Sequence, residues 1–183
     1  EDFQVEQSQQ ARTFILGAGG SILEWLVTPV ASKIRELLPH TALRLSSSRS
    51  RELVENIRDG RLDFAIVRED AIPAGGLRLP LLRLQFHLCI PRVLLGASPR
   101  AATDPATWKK LPFVAHAVSG QLDTTFRTAM TKACGSFKPL FECDSLLQAR
   151  ELIVQGTCAG LLPSIGTREL EARDVIVREF APL

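Results

Sequence analysis

The chain has 183 residues, 45% of them hydrophobic and 23% charged, which is the balance of an ordinary globular protein able to bury a core. No apolar run approaches the roughly 20 residues of a membrane-spanning helix, and Glu1 to Gln10 has neither the basic nor the apolar region of a secretory signal. Lysine and arginine are scattered, and the net charge is only +2. A segment that itself grips DNA or RNA would carry a clustered basic face.

Glu1 to Ala11 is polar and glutamine-rich and reads as a linker remnant. Thr13 to Leu16 is a strand, followed by the loop Gly17-Ala18-Gly19-Gly20-Ser21. The spacing of Leu26, Val30, Ile34 and Leu37 predicts a helix that starts or bends at Thr28-Pro29 and stops at Pro39. Ala42 to Leu45 is a second strand, running into Ser46-Ser47-Ser48-Arg49-Ser50. Glu52 to Asp59 is a helix closed by Gly60, and Leu62 to Val67 reads as a central strand covered on both faces, ending in Arg68. The order β-α-β-α-β with short connections implies a right-handed parallel sheet.

Leu77 to Pro91 carries the apolar segments LRLPLL and FHLCIP, with a hinge expected in the Leu82 to Cys89 region. Ala97 to Thr107 reads as a surface connection. The pattern then restarts, with strands at Pro112 to Ala115, Pro139 to Cys143, Ala159 to Leu162 and Val175 to Val177. Helices are expected at Gln121 to Ala133, with Leu122, Phe126, Met130 and Ala133 on one face, at Ser145 to Gln155, and at Thr167 to Ala172. Two successive α/β units of similar size suggest two lobes with a cleft between them.

Catalytic patterns are absent from the sequence. None of His40, His87 and His116 belongs to HExxH, and no serine sits in a G-x-S-x-G elbow. His87, in an apolar strand, reads as a satisfied structural histidine. Cys89, Cys134, Cys143 and Cys158 show no CxxC and no Cys/His metal spacing, so they read as reduced core thiols of a cytosolic protein without a metal or other cofactor.

The loops at the strand ends are more telling. Gly17 to Ser21 and Ser46 to Ser50 bring glycines, hydroxyls and Arg49 to helix N-termini, where free N–H groups and the helix dipole favour anions. Arg68 adds a planar fork suited to a carboxylate. The competing reading makes the serines helix caps and pairs Arg68 with Glu69 or Asp70 at the surface. No GxGxxG or GxxxxGK[ST] is present to cradle a nucleotide.

Ala18 to Pro39, SSSRSRELVENIRDGRLDFAIV (Ser46 to Val67), Leu77 to Leu82 and GTCAGLLP (Gly156 to Pro163) stand in the order and spacing of a known family. From about Arg12 to Leu183 the chain resembles the effector-binding domain of LysR-type transcriptional regulators. The resemblance implies an α/β fold of two Rossmann-like subdomains joined by crossover strands, like the type 2 periplasmic binding proteins. Their expected extents are 12–84 and 85–183, and the return of the chain to the first subdomain would be missing. It further implies a cytoplasmic bacterial regulator that is not an enzyme and pairs as a homodimer or homotetramer. Promoter DNA would be reached through an N-terminal helix-turn-helix domain not contained here.

The resemblance also places an effector in the inter-subdomain cleft. Its candidate contacts are Gly19, Gly20, Ser21, Ser48, Arg49, Ser50 and Arg68, with His116, Val118, Ser119 and Cys158 from the second subdomain. Arg68 falls on an arginine that muconate-responsive members use for a ligand carboxylate. Two positions depart from the family pattern. Gly19 stands where a serine is common, and Cys158 where a glycine is usual. Peroxide-sensing members use a cysteine pair in the second subdomain; Cys134 falls near one of the two positions, but Gln121 and its neighbours offer no partner. A periplasmic solute-binding protein of the same fold is the competing assignment.

Overall fold

A computed structural model describes residues 12–96, 102, 104–116 and 121–180. The described residues up to Leu81 form one compact unit, and those from Leu82 onward form a second.

The first unit is built on a three-stranded parallel sheet, β1 (Arg12–Ala18), β2 (Thr41–Ser47) and β3 (Phe64–Ile66), in the order β2-β1-β3. The parallel β-α-β-α-β expectation therefore holds, with one correction. The middle strand is β1, and β3 is a short edge strand among the described residues, its Phe64 56% exposed. The residues before β3 have other tasks. The amides of Arg61 and Leu62 donate to the Asn56 carbonyl at 2.8 and 3.3 Å, closing the preceding helix. Asp63 then clasps β1 from both sides: its amide donates to the Ile15 carbonyl (3.0 Å), and its carboxylate accepts from the Ile15 amide (2.7 Å).

Residues 20–37 are helical throughout but change pitch. An α turn, α1 (Gly20–Ile22), gives way to a wide π turn (Leu23–Val27), a tight 3-10 turn (Thr28–Val30) and then α2 (Ala31–Leu37). Pro29 has no N–H for the ladder. The Leu23 carbonyl accepts from both the Thr28 amide and, at 2.9 Å, the Thr28 hydroxyl. Thr28-Pro29 thus marks a rewinding inside the helix. The next helix, α3 (Ser50–Arg58), buries Leu53 completely, and Gly60 ends it with φ +69°. Beyond this unit's sheet, LRLPLL forms no strand, and Leu79 is 87% exposed.

The second unit carries β4 (Phe86–Pro91), β5 (Phe113–His116), β6 (Phe141–Cys143), β7 (Ala159–Pro163) and β8 (Val175–Glu179), in the order β6-β5-β7-β4-β8. β5, β6 and β7 are parallel, whereas β4 runs antiparallel to both β7 and β8. Phe86 to Cys89, expected within a hinge, are sheet residues, with His87 to Cys89 in register with both β7 and β8. The short helix α4 (Pro105–Trp108) precedes β5, and the Trp108 indole donates to the carbonyl of fully buried Ala102 (3.1 Å), so this stretch is not wholly a surface connection.

Helix α5 (Gln121–Cys134) lays Phe126, Met130 and Cys134 into the core; the i, i+4, i+8 stripe ends on Cys134, and Ala133 is exposed. Phe113, Phe126 and Phe137 meet edge-on at 5.3 to 6.3 Å, the preferred geometry of aromatic pairs. Helix α6 (Leu146–Val154) is capped by the Ser145 hydroxyl, which accepts from the Leu147 amide at 3.1 Å. The helix expected at Thr167 to Ala172 is not formed. Two 3-10 turns, Ser164–Gly166 and Glu171–Arg173, flank the segment, and Glu169 takes φ +63°. The Arg150 guanidinium holds it open by donating to the carbonyls of Gly166 (3.0 Å) and Arg168 (3.1 Å), which competes with an α ladder.

A Cβ on Gly17 would lie 2.5 Å from Leu62 Cδ1 and 2.6 Å from Leu53 Cδ2, whereas one on Gly19 would meet nothing within 4 Å. Gly17→Ala is therefore expected to destabilise the domain by about 1–3 kcal/mol through overpacking, and Gly19→Ala by less than about 0.5 kcal/mol. Urea unfolding of both variants checks this; equal midpoints would contradict it.

Candidate functional site

All three strands of the first sheet run the same way, and Ala18 lies level with both Ser47 and Ile66. The loops that follow β1, β2 and β3 consequently open at one end of one sheet. The structure thereby brings together Gly19, Gly20 and Ser21, then Ser48, Arg49 and Ser50, then Arg68. Two bonds knit the loops: the Ser48 amide donates to the Ala18 carbonyl (3.2 Å), and the Arg68 amide to the Ser50 hydroxyl (3.3 Å).

The serines do not cap the helices. The N-cap residues are Gly19 for α1 and Arg49 for α3, both with extended backbone and neither with a side-chain cap. The leading N–H groups of the two helices thus face the strand ends without a side-chain acceptor, a setting that attracts negative charge. At Gly20 a Cβ would meet the Ser47 hydroxyl at 3.5 Å, an ordinary contact.

Arg68 stands at the end of β3, but its fork is engaged. Its Nε donates to Asp70 Oδ1 at 2.9 Å, and its Nη2 donates to Asp70 Oδ2. The hydrogen bond from Arg68 holds the Asp70 carboxyl below the usual carboxylate range, and Asp70 in turn raises Arg68. Because the folded-state value of Asp70 is lowered, the pair's stabilising contribution is present at neutral pH and fades as pH falls through that value. Both side chains are more than half exposed, so the contribution is small. The surface ion pair weighed against a free carboxylate fork is the arrangement found.

In the second unit His116 ends β5 and is partly buried. With Asp123 it lines a cavity of about 20 Å³ walled by Val114, Phe126, Leu146 and Leu161. Asp123 was not singled out from the sequence, where it is one acidic residue in the first turn of a helix. Its Oδ2 accepts from Arg127 Nε, and Arg127 Nη2 reaches Glu142, both at 2.8 Å. Val118 and Ser119 lie outside the described residues. Cys158 is misplaced in the expected set: it is fully buried, immediately before β7, and Ala159 pairs with Phe113 at the start of β5. It therefore sits at the amino end of these strands, opposite the end His116 occupies.

His40 is in an exposed turn, while His87 Nδ1 is buried without a hydrogen-bond partner among the described residues, so it is not the satisfied histidine expected. No disulfide joins Cys89, Cys134, Cys143 or Cys158 among the described residues. Burial pushes Cys89 up to about 12, and burial is also the largest cause raising Cys134, Cys143 and Cys158. A reactive thiol needs the opposite shift. Among the described residues no group of three or more His, Cys, Asp and Glu is placed to hold a metal ion, and no helix is long and apolar enough to cross a membrane.

The family model of the LysR substrate binding domain matches residues 7–183. The chain belongs to this family. Its fold is similar to that of the reduced OxyR regulatory domain from Pseudomonas aeruginosa (TM-score 0.68, 19% identity, covering 93% of this chain and 82% of that one). It is also similar to the CrgA regulatory domain from Neisseria meningitidis (TM-score 0.71, 18% identity, 92% and 81% covered). HinK, a LysR family transcriptional regulator from Pseudomonas aeruginosa, aligns with a TM-score of 0.65 at 19% identity over 98% of this chain and 63% of that one. Comparison with curated protein sequences gives no match. The chain is thus the effector-binding domain of a LysR-type regulator, with a fold like the type 2 periplasmic binding proteins.

Raised thiol values leave little thiolate at neutral pH, so this LysR-type domain is expected to react slowly with a thiol-specific disulfide reagent at pH 7.5. Cys143, the partly exposed cysteine, should react first, and all four only after denaturation. Immediate labelling of any of the other three in the folded protein would contradict the burial.

Proposed function

We propose that this LysR-type domain senses a small anionic metabolite, a carboxylate, at the carboxyl ends of the first-unit strands. Gly19, Gly20, Ser21, Ser48, Arg49 and Ser50 supply N–H and hydroxyl donors, and Arg68 supplies the guanidinium. His116, Val118 and Ser119 are the contacts proposed from the second unit. The observation that carries the reading is the convergence of two helix N-termini without side-chain caps, in register, at the end of one parallel sheet.

In this reading Asp70 is a built-in competitor. Its carboxylate occupies the Arg68 fork as an effector carboxylate would, and arrival of the effector exchanges one carboxylate partner for another. Effector binding favours one of two states of the domain, by as much as its affinity for the two differs. Homodimers or homotetramers of the regulator carry that shift to helix-turn-helix domains on promoter DNA, in the cytoplasm. A periplasmic solute-binding role is not favoured by the family match.

A thermal-shift screen of small carboxylates and aromatic acids supplies a ligand, because a molecule bound only by the folded state raises its apparent stability. Loss of a charge-assisted bond is worth about 1.5–3 kcal/mol. Arg68→Ala is therefore expected to weaken the ligand about tenfold or more without unfolding the domain. Asp70→Asn, which releases the fork, should strengthen it. Unchanged affinity in Arg68→Ala would remove Arg68 from the site.

A further inference from the structure

We propose that the cavity under the carboxyl end of β5 holds one ordered water molecule, which donates a hydrogen bond to Asp123 Oδ1 and accepts one from the His116 ring. Asp123 is thereby a positioning residue: it fixes the His116 imidazole in one tautomer and ties the first turn of α5 to the end of β5. Every residue of the cavity wall belongs to the second unit, and the inference stands apart from the effector-sensing reading.

The cavity, of about 20 Å³, has the size of a single water, and its walls are apolar apart from His116 and Asp123. His116 reaches it as the last residue of β5, and Asp123 from the first turn of α5. The two do not bond each other. Asp123 Oδ2 accepts from Arg127 Nε at 2.8 Å, while Oδ1 is buried with no hydrogen-bond partner among the described residues. Buried polar atoms without partners are rare, and leaving a charged acceptor unmet costs more than ordering a water does. Two polar groups on one cavity of this size are the partners that a buried water needs. The direction of the bonds follows from charge. Arg127 also donates to Glu142, at 2.8 Å, so two carboxylates share one guanidinium and the cluster keeps an excess negative charge. The water therefore turns a hydrogen to Oδ1, which leaves its lone pair for a ring N–H of His116. A ring nitrogen engaged as a donor fixes the tautomer of a neutral imidazole.

The test is NMR of the isotope-labelled chain at about pH 8, where an ordinary imidazole is neutral. The chain has three histidines, and exposed His40 supplies the reference for a ring of mixed tautomers. The ring nitrogen shifts of His116 are expected to report a single tautomer, and its ring N–H to show a cross-peak to a long-lived water. Asp123→Leu, which removes the acceptor and fills the cavity, should abolish the cross-peak and return the ring to the mixture seen for His40. Asp123→Asn serves if the leucine variant does not fold. Its oxygen stays on Arg127 and its amide donor faces the cavity, so the His116 tautomer should invert. A mixed tautomer in the unaltered chain, or no cross-peak to water, would overturn the inference. So would a tautomer that neither variant changes, the result for an imidazole held by packing alone. A water cross-peak that disappears on titration with ammonium chloride would assign the cavity to a cation and overturn it as well.

Discussion

The absent side chain of Gly17 is the constraint on which the first unit turns. Leu53 from α3 and Leu62 from the turn after it both press to within 2.6 Å of where a Cβ would stand. That contact seats α3 against β1 and fixes how far its first residue stands from the strand ends. Asp63 sets the register at the other end of the turn, exchanging two hydrogen bonds with the backbone of Ile15. Between them, these contacts bring Ala18, Ser47 and Ile66 level and so gather three loops at one mouth. The proposed anion site is then a consequence of backbone geometry, with side chains refining what backbone N–H groups begin.

The second unit reaches a comparable arrangement by another route. Its core is aromatic, with Phe113, Phe126, Phe137 and Phe180 packed edge-on. Antiparallel β4 links parallel β7 to β8. Gly160 lets β7 lie close to its neighbours, since a Cβ there would stand 2.7 Å from Val114 Cγ1 and 3.0 Å from Ile153 Cδ1. Close packing of this kind leaves few voids. A small one, of about 20 Å³, persists beside Asp123, whose Oδ1 has no hydrogen-bond partner among the described residues.

Much of this was legible in the sequence where the signal is local. Gly60 closes its helix as its position predicts, with positive φ, and the Ser46 to Ser50 stretch lies where a strand hands over to a helix. What was not legible depended on partners far along the chain. Leu62 to Val67 has the composition of a central strand, but which strand lies in the middle is decided by pairing, and β1 takes that place. Thr167 to Ala172 has helical spacing, yet two bonds from distant Arg150 hold it otherwise. Cys158 carried a departure from a family pattern, but no local cue told which end of its strand faces a ligand. Asp123 gave no signal at all, because its importance is an unpaired oxygen that only packing reveals. Arg68 shows an intermediate case: both of its readings were visible, and the i, i+2 geometry of the turn favours Asp70.

Backbone amide NMR during titration with a carboxylate that stabilises the domain tests the central claim most directly. The amide signals of Gly19, Gly20, Ser21, Ser48, Arg49 and Ser50 should shift first and furthest, because their N–H groups surround the proposed anion position. Shifts concentrated instead on the β6 to β8 side of the second unit, with those six amides unmoved at saturation, would contradict it.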